Sequence, residues 1–252
     1  MTFPECTMIC PAGAYQIMIE ITEEQADAQG KMNPGDLARW MERVTQQHLS
    51  SYGMSREGLK REGKIWVIAW NSIELLRLPK AGEKVLLRIW PCKKKGGMYP
   101  RRYAFYTAAG EPLVCAASLF VLMNSETRQL APPTEKLESI PIVTERGEQP
   151  LPKMTVPFPE KLEQKRERIV MPEEIDKNGH LNNTHYIDWA EELAKTVCSA
   201  KEEPESIWVQ YNRELLEGQK VVLKYQYTDH YLYVRGYAQE AESFSVVFKY
   251  RT

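Results

Sequence analysis

The chain has 252 residues, 43% of them hydrophobic and 10% aromatic. It can therefore bury one large core or two cores of roughly 100 to 125 residues each, which excludes a chain that is disordered throughout. Its 33 basic and 34 acidic side chains give a formal charge of −1, so the overall field favours neither nucleic acid nor an anionic membrane as a partner. No apolar run reaches membrane-spanning length and the first residues do not resemble a signal peptide, which predicts a cytoplasmic protein without membrane insertion.

The cysteines point to a reduced, metal-free protein. There are five of them, with no Cys-x-x-Cys pair, so one thiol is left over however the others are paired. This usage suits free thiols better than a disulfide framework. We expect neither a zinc site nor another cofactor.

The first part of the chain predicts a strand, a turn and a helix. The strand is expected at about 14–22, and a turn over 27–34 follows it. Asn33 is a good helix cap, and Pro34 suits the first helical position. From there to about Tyr52, apolar residues recur at roughly helical spacing, namely Leu37, Trp40, Met41, Val44 and Leu49.

Strand-forming segments follow this helix. β-Branched and aromatic residues, separated by glycine and charge, predict strands at 65–78, 84–90, 101–108 and 113–123. Seven of the sixteen prolines then fall within 132–160. Because proline lacks the amide proton that a helix interior or a central strand needs, this segment is predicted to be an extended linker.

The same order of elements begins again after the linker. A strand is predicted at 165–171, then a turn over 176–183, and then a helix that Asn182 or Asn183 can cap. Further strands are expected at 207–216, 220–228, 231–238 and 243–251. On the second helix, His185 and Asp188 are spaced to form a surface pair. His48 and His230 are predicted to be structural or solvent-facing.

The two halves align as copies of one domain. Between 27–42 and 176–191, five of sixteen positions are identical. Residues 70–76 then align with 211–216, which pairs Glu74 with Glu214, and residues 82–87 align with 218–223. Three colinear blocks indicate a duplicated domain.

The turn of the second copy has the composition of a chemical site. Asp176, Asn178 and His180 place a carboxylate, an amide and an imidazole directly before an amphipathic helix. The start of a helix also offers unpaired amides and the positive end of the peptide dipoles, so this turn could handle a carbonyl group. In the first copy Lys31 occupies the place of His180, and that copy is expected to lack activity.

Two blocks of the second copy resemble the acyl-acyl carrier protein (acyl-ACP) thioesterase family, as a bacterial member similar to the plant enzymes. The family's Asp-x-Asn-x-His block, with its following Val or Leu and Asn-Asn, is matched by Asp176, Asn178, His180, Leu181, Asn182 and Asn183. The Tyr-x-Arg-Glu block that carries the family's catalytic glutamate is matched by Tyr211, Arg213 and Glu214.

This resemblance covers about residues 14–250 and implies an α+β double hotdog. That fold has two tandem antiparallel sheets, each wrapped around a long central helix. We expect an N-terminal hotdog at 1–131 that supplies the acyl pocket, the linker at 132–160, and a catalytic hotdog at 161–252. Leu215 stands where many plant members have a cysteine, which disfavours a thiol nucleophile.

The implied reaction is hydrolysis of medium- to long-chain acyl-ACP to free fatty acid, with no cofactor. Thioester hydrolysis needs a polarised carbonyl and an activated water, and His180 with Glu214 is the favoured acid/base pair. Asp176 would fix the turn or the imidazole tautomer, and Asn178 would hold the water or the imidazole. Sequence leaves open which of Asp176, His180 and Glu214 takes the proton.

Substrate contacts are predicted in both copies. The acyl carbonyl is expected near the backbone of residues 179–183, with Gly179, Asn182 and Asn183 as the substrate-binding residues. Trp40 and Met41 could line an acyl tunnel. A hairpin over 93–102 holds five positive charges, among them Lys94, Arg101 and Arg102, and could receive an acidic carrier protein with its phosphopantetheine-linked acyl chain.

Three other functions stay open on sequence alone. They are an acyl-CoA thioesterase, a β-hydroxyacyl dehydratase, which in hotdog folds also uses a histidine with a carboxylate, and a non-catalytic acyl-binding regulator. The oligomeric state is open between a monomer and a homodimer, because an internal duplication can supply the sheet pairing that single hotdogs make between chains.

Overall fold

A computed structural model describes residues 10–143, 156–198 and 203–251. Its contacts divide the chain into two compact units, the first made of Met1–Ala69 and Ile73–Pro152 and the second of Trp70–Ser72 and Lys153–Thr252. Residues 144–155 of the predicted linker lie outside the described residues. In the described part of the chain, no helix is both long enough and apolar enough to cross a membrane.

The first unit contains an antiparallel sheet and one long helix. Its strands are β1 (Tyr15–Glu20), β2 (Lys64–Leu75), β3 (Lys84–Pro91), β4 (Met98–Thr107) and β5 (Pro112–Asn124). They lie in the order β1-β3-β4-β5-β2. Helix α1 (Pro34–Ser51) packs against β1 and β3 and buries the apolar face that its periodicity predicts.

Two short helices of the first unit have no counterpart in the sequence predictions. Helix α2 (Arg56–Arg61) follows α1, and helix α3 (Glu135–Glu138) lies within the predicted linker. Leu137 and Ile140, at and just after α3, are buried in a cluster with Leu49 and Leu122. Residues 134–140 therefore fold onto the first unit instead of forming an extended linker. Burying these two apolar side chains outweighs the preference of the nearby prolines for an extended chain.

The second unit repeats the arrangement. Its elements are β6 (Gln164–Ile169), α4 (His185–Val197), β7 (Pro204–Tyr211), β8 (Lys220–Thr228), β9 (Tyr231–Ala238) and β10 (Ala241–Tyr250). The strands lie in the order β7-β10-β9-β8-β6, and α4 packs against β10. Helix α4 begins one or two residues later than predicted, with Thr184 at its cap. The reason is that Asn182 Oδ1 accepts hydrogen bonds from the Thr184 amide at 2.9 Å and from the Thr184 hydroxyl at 2.8 Å, in a turn that precedes the helix.

The loop after β7 matters for the site. The sequence predicts a strand that continues to residue 216, whereas β7 ends at Tyr211. The amides of Asn212 and Arg213 both donate to the Ser243 carbonyl at 2.9 Å, which turns the chain away from the ladder. Glu214 consequently lies in a loop beyond the end of the strand.

Glycine at position 236 gives room to an aromatic side chain that supports α4. A Cβ atom added at Gly236 would lie 2.0 Å from Cε1 of Phe244, so only glycine fits beneath this ring. The Phe244 ring centroid lies 4.5 Å from that of Tyr186 and 6.1 Å from that of Trp189, both on α4. The sheet thus supports the start of the helix through a packed aromatic cluster.

Candidate functional site

Asp176 organises the turn that leads towards α4. Its Oδ1 accepts hydrogen bonds from the amide of Asn178 at 2.7 Å and from the amide of His180 at 3.4 Å, and its own amide donates to the His180 carbonyl at 2.8 Å. Gly179 adopts a φ of 83°, a conformation that glycine reaches without strain. The turn therefore fixes the backbone on both sides of His180.

The first copy contains the same turn. Asp27 Oδ1 accepts from the amides of Gln29 and Lys31, both at 2.9 Å, and the Asp27 amide donates to the Lys31 carbonyl at 2.7 Å. The copy that lacks the histidine thus keeps the aspartate with the same bonds. This favours the turn-fixing role for Asp176 over a role in proton transfer.

His180 and Glu214 form a contact within the second unit. Nε2 of His180 lies 3.1 Å from Oε2 of Glu214, and the two side chains are 22% and 43% exposed. The imidazole and the carboxylate are thus within hydrogen-bond reach of each other and still accessible to water. Such a pair can pass a proton between a reacting water and a leaving group.

The backbone next to Glu214 holds this pair together. The amide of Leu181, the residue after His180, donates to the carbonyl of Leu215, the residue after Glu214, at 2.8 Å. Leu215 is fully buried, so the loop is anchored by its side chain as well. One hydrogen bond between the two loops therefore sets the separation of the two functional side chains.

The alignment that paired Glu74 with Glu214 is wrong. In the first copy the Met32 amide donates to the Pro79 carbonyl at 2.8 Å, in the same way that Leu181 bonds to Leu215. Leu78, the residue before Pro79, therefore occupies the place of Glu214. Glu74 lies four residues earlier, inside β2. The first copy has lost both members of the pair, so no shared structural role explains Glu214.

Most of the backbone amides predicted to receive the acyl carbonyl are already used. Those of Gly179, His180 and Leu181 bond within the turn or to Leu215, and that of Asn182 donates to the Glu174 carbonyl at 2.9 Å. Within this described stretch, only the Asn183 amide makes no recorded hydrogen bond. In this stretch, the Asn183 amide is therefore the one expected to bind the acyl carbonyl oxygen.

The Asn178 side chain lies beside Asp176. Its Nδ2 donates to Asp176 Oδ2 at 2.9 Å, and no hydrogen bond to His180 is recorded within the described residues. Holding a water remains a prediction for Asn178. Further along, His185 Nδ1 lies 2.9 Å from Asp188 Oδ2, which confirms the predicted pairing, and both side chains are half-buried on α4.

Tyr186 is a neighbour of the site that was not among the residues predicted to form it. It is buried on the first turn of α4, in the same unit as His180 and Glu214. Burial raises the pKa of its hydroxyl, and the carboxylates of Glu214 and Asp176 act in the same direction. Its aligned residue in the first copy is Leu37, and that exchange of a hydroxyl for an alkyl group was the available signal.

Only part of the positively charged hairpin predicted at 93–102 is exposed to solvent. Lys93, Lys94 and Lys95 are exposed, and the Lys94 ammonium lies 2.6 Å from Oε1 of Glu138. Arg101 and Arg102, by contrast, are 2% and 4% exposed. The prediction that these two arginines form part of a landing surface is wrong, because both belong to β4, which pairs with β3 and β5 on either side.

Arg101 has an unusual buried partner. Its Nη1 lies 2.7 Å from Nδ1 of His48, and both side chains are buried. Burial lowers the pKa of Arg101 to about 10. Burial, followed by the charge of Arg101, lowers the pKa of His48 to about 4, so the imidazole is neutral at physiological pH and can accept the hydrogen bond. The structural role predicted for His48 fits this placement.

The other predicted substrate contacts also lie in the first unit. Met41 is buried on the core face of α1, and Trp40 is half-buried with the Arg43 guanidinium 4.4 Å from its ring centroid. Their part in an acyl tunnel remains a prediction. Two clefts of about 350 and 640 Å³ occur in the second unit, and none of the predicted site residues lines them.

No metal site is seen in the described part of the chain. Nowhere in it do three or more His, Cys, Asp or Glu side chains lie close enough together to hold a metal ion. Of the five cysteines, Cys10, Cys92, Cys115 and Cys198 fall within the described residues, and none of these four forms a disulfide. Burial raises the pKa of the Cys115 thiol to about 11.

Comparisons with known proteins match both halves of the chain. Residues 13–139 match the acyl-ACP thioesterase N-terminal domain family, and residues 160–251 match the acyl-ACP thioesterase C-terminal domain family. A palmitoyl-acyl carrier protein thioesterase of Cuphea hookeriana is 30% identical over 70% of this chain and 45% of its own length. An oleoyl-acyl carrier protein thioesterase of Arabidopsis thaliana is 27% identical over 71% of this chain and 53% of its own length. The chain thus spans about half the length of these curated relatives.

Solved structures of acyl-ACP thioesterases have the same fold as this chain. An acyl-ACP thioesterase from Bacteroides thetaiotaomicron overlaps with a TM-score of 0.84 and 16% identity, covering 95% of this chain and 98% of its own. A 12:0-ACP thioesterase from Umbellularia californica overlaps with a TM-score of 0.83 and 16% identity, covering 96% and 98%. These overlaps confirm the predicted double-hotdog class. With both family domains matched over most of its length, the chain belongs to the acyl-ACP thioesterase family.

Proposed function

We propose that this protein hydrolyses the thioester of medium- to long-chain acyl-ACP, releasing a free fatty acid and the carrier thiol. The observation that carries the proposal is the His180–Glu214 contact of 3.1 Å in the second unit. The first copy has Lys31 and Leu78 at the corresponding positions and therefore lacks this contact. The fold alone consequently does not require the contact. The family and its relatives, which are named as acyl-ACP thioesterases, support the same substrate class.

In the proposed reaction, a water lies against the Glu214 carboxylate and its oxygen attacks the thioester carbon. The water proton passes to the His180–Glu214 pair as the new C–O bond forms. The Asn183 amide, near the start of α4, receives the charge that develops on the carbonyl oxygen. The C–S bond then breaks, and the pair returns a proton to the leaving thiolate. Leu215 follows Glu214, so direct attack by water is proposed rather than an acyl-cysteine intermediate.

We propose the acyl carrier protein as the partner, with its acyl chain on phosphopantetheine. Lys93 and Lys95, on the loop before β4, are exposed and offer positive charge to an acidic carrier. Lys94 contributes less, since it is already paired with Glu138. A cytoplasmic location and a monomer or homodimer remain predictions from the sequence.

The experiment that tests this function measures thiol release from one acyl chain presented in two forms, on carrier protein and on coenzyme A. The proposal expects the higher kcat/KM with the carrier form. Efficient turnover of only the coenzyme A form would identify an acyl-CoA thioesterase instead. Tight binding without thiol release would indicate the non-catalytic regulator, and hydration of an enoyl thioester without thiol release would indicate the dehydratase.

A further inference from the structure

The hydroxyl of Tyr211, the last residue of β7, makes hydrogen bonds in two directions. It donates to the Asn183 carbonyl at 3.2 Å and accepts from Asn71 Nδ2 at 3.1 Å. A carbonyl oxygen can only accept, so the hydroxyl proton points towards Asn183 and the hydroxyl oxygen accepts from Asn71. All three residues belong to the second unit, which includes Trp70–Ser72. The two partners thus set the direction of the hydroxyl.

The ring that carries this hydroxyl is held by aromatic neighbours. Its centroid lies 5.5 Å from that of Tyr186 in an edge-to-face arrangement, and the Tyr186 centroid lies 4.5 Å from that of Phe244. Tyr211 also pairs with Phe244 in the β7–β10 ladder. Such contacts restrict the orientation of a ring. The sheet therefore presents the hydroxyl at a defined place, directly before the start of α4.

Asn183 supplies the amide that the proposed reaction assigns to the carbonyl oxygen of the thioester. The amide and the carbonyl of this residue flank one α-carbon, so only its own φ and ψ angles separate them. A bond that fixes the carbonyl therefore limits how far the amide can turn. An oxyanion donor is effective when it already points to the place where charge develops, and this restraint supplies that orientation.

The first copy has no hydroxyl at the place of Tyr211. Directly after β2, the Leu76 amide donates to a carbonyl of β5 at 2.9 Å, and directly after β7 the Asn212 amide donates to a carbonyl of β10 at 2.9 Å. The two strands therefore end at equivalent positions. Leu75, the last residue of β2, corresponds to Tyr211 and is a buried alkyl side chain.

The first copy also lacks an amide proton at the place of Asn183. The Asn33 amide donates to the short helical turn after β1 at 2.8 Å, as the Asn182 amide donates to the short helical turn after β6 at 2.9 Å. The next residue, Pro34, therefore takes the place of Asn183, and proline has no amide proton. The hydroxyl and the amide are thus both present in the copy that has the acid/base pair and both absent from the other copy.

We propose that Tyr211 is a positioning residue of the hydrolytic reaction, whose hydroxyl holds the Asn183 carbonyl and thereby directs the Asn183 amide at the thioester carbonyl oxygen. The inference rests on the proposed function. It assigns Tyr211 no contact with the substrate or with the reacting water. Its effect acts through the Asn183 amide and is independent of the Glu214 carboxylate.

The test is Tyr211→Phe, assayed for thiol release from acyl-ACP alone and combined with Asn183→Pro. The single variant should lose about 3- to 30-fold in kcat, the effect of one hydrogen bond, while its KM stays within about two-fold. Asn183→Pro removes the amide proton and should lower kcat by about 10²-fold or more relative to Asn183→Ala, which keeps the amide. In the Asn183→Pro background, Tyr211→Phe should cost less than about two-fold, since the amide that it positions is gone.

Glu214→Gln supplies a second background, and Tyr237→Phe is the matched control. The loss caused by Tyr211→Phe should persist in Glu214→Gln, because an oxyanion donor and a base act on different atoms. Tyr237 is a half-buried tyrosine on β9 of the same unit, with its ring centroid 4.8 Å from Lys224 Nζ, and its substitution should leave kcat unchanged. Thermal unfolding of every variant, with rates normalised to the folded fraction, separates a loss of positioning from a loss of folded protein.

Four results would overturn the inference. They are wild-type kcat in folded Tyr211→Phe, a raised KM with unchanged kcat, an equal loss with and without the Asn183 amide, and a loss that disappears in Glu214→Gln. If Glu214→Gln itself retains wild-type turnover, the proposed function fails as well. A large loss in Glu214→Gln with none in Tyr211→Phe rejects only the positioning role.

Discussion

Replacing Glu214 with glutamine removes the proton-accepting carboxylate while keeping the size of the side chain. General acid or base groups commonly contribute about 10²- to 10⁴-fold to rate, so Glu214→Gln should lower kcat by that range, or about 3 to 5 kcal/mol in the activation barrier. The effect on folding should be small. With the two side chains 22% and 43% exposed, solvent screens the contact with His180, and such pairs contribute at most about 1 kcal/mol to stability.

The assay is steady-state thiol release from acyl-ACP, accompanied by urea unfolding of the same preparations. Glu167→Gln serves as the control, because Glu167 pairs with Lys220 at 2.8 Å on the exposed β6–β8 ladder of the same unit. That variant should keep wild-type kcat. Turnover of Glu214→Gln within about three-fold of wild type would refute the assignment of a base to this position.

Three further predictions concern the buried polar groups and the first copy. His48 has its pKa held at about 4, below the unfolded value of about 6.5, so the stability it contributes is present above pH 6.5 and is lost as the pH falls towards 4. Urea unfolding of wild type should show this loss, up to about 3 kcal/mol, while His48→Gln, which cannot titrate, should lack that component. Glu174→Ala should lower the free energy of unfolding by about 1 to 3 kcal/mol, because the Trp189 indole N–H that donates to it at 2.7 Å would lose its buried acceptor; an unchanged urea midpoint would contradict this. Adding Lys31→His to a His180→Ala variant should restore no thiol release, since Leu78 supplies no carboxylate in that copy, and recovered activity would contradict the correspondence of Leu78 with Glu214.

The sequence predicted most of the fold because its local signals agree with one another. The strands around the glycine turns and the start of α1 at Asn33 and Pro34 follow directly from periodicity and capping. Helix α3 could not be predicted in the same way. Its stability comes from burying Leu137 and Ile140 against residues distant in the chain, and proline content says nothing about such contacts.

The sequence predicted which residues form the candidate site, but it did not predict how they lie relative to one another. The two motif blocks predicted His180 and Glu214 as site residues. In the structure, His180 Nε2 lies 3.1 Å from Glu214 Oε2. Sequence alignment nevertheless paired Glu214 with Glu74, because similarity of letters cannot show that Glu74 lies inside β2 whereas Glu214 lies in the loop beyond the end of β7. Only the hydrogen bonds of Leu215 and Pro79 identify Leu78 as its counterpart.

Arg101 and Tyr186 illustrate the same limit. A run of positive charge predicted that Arg101 lies on a surface, and its burial beside His48 depends on which strands flank β4. Tyr186 lies on the first turn of α4, and burial together with the carboxylates of Glu214 and Asp176 raises the pKa of its hydroxyl. Both depend on contacts between residues far apart in sequence.

The proposed function depends on hydrolysis of acyl-ACP by the second copy through His180 and Glu214. Its most direct test compares the rate of thiol release from acyl-ACP by the wild-type protein and by folded His180→Ala. We predict measurable turnover by the wild type and a loss of about 10²-fold or more in the variant. Equal rates for the two proteins, or no thiol release by the wild type, would contradict the proposed function.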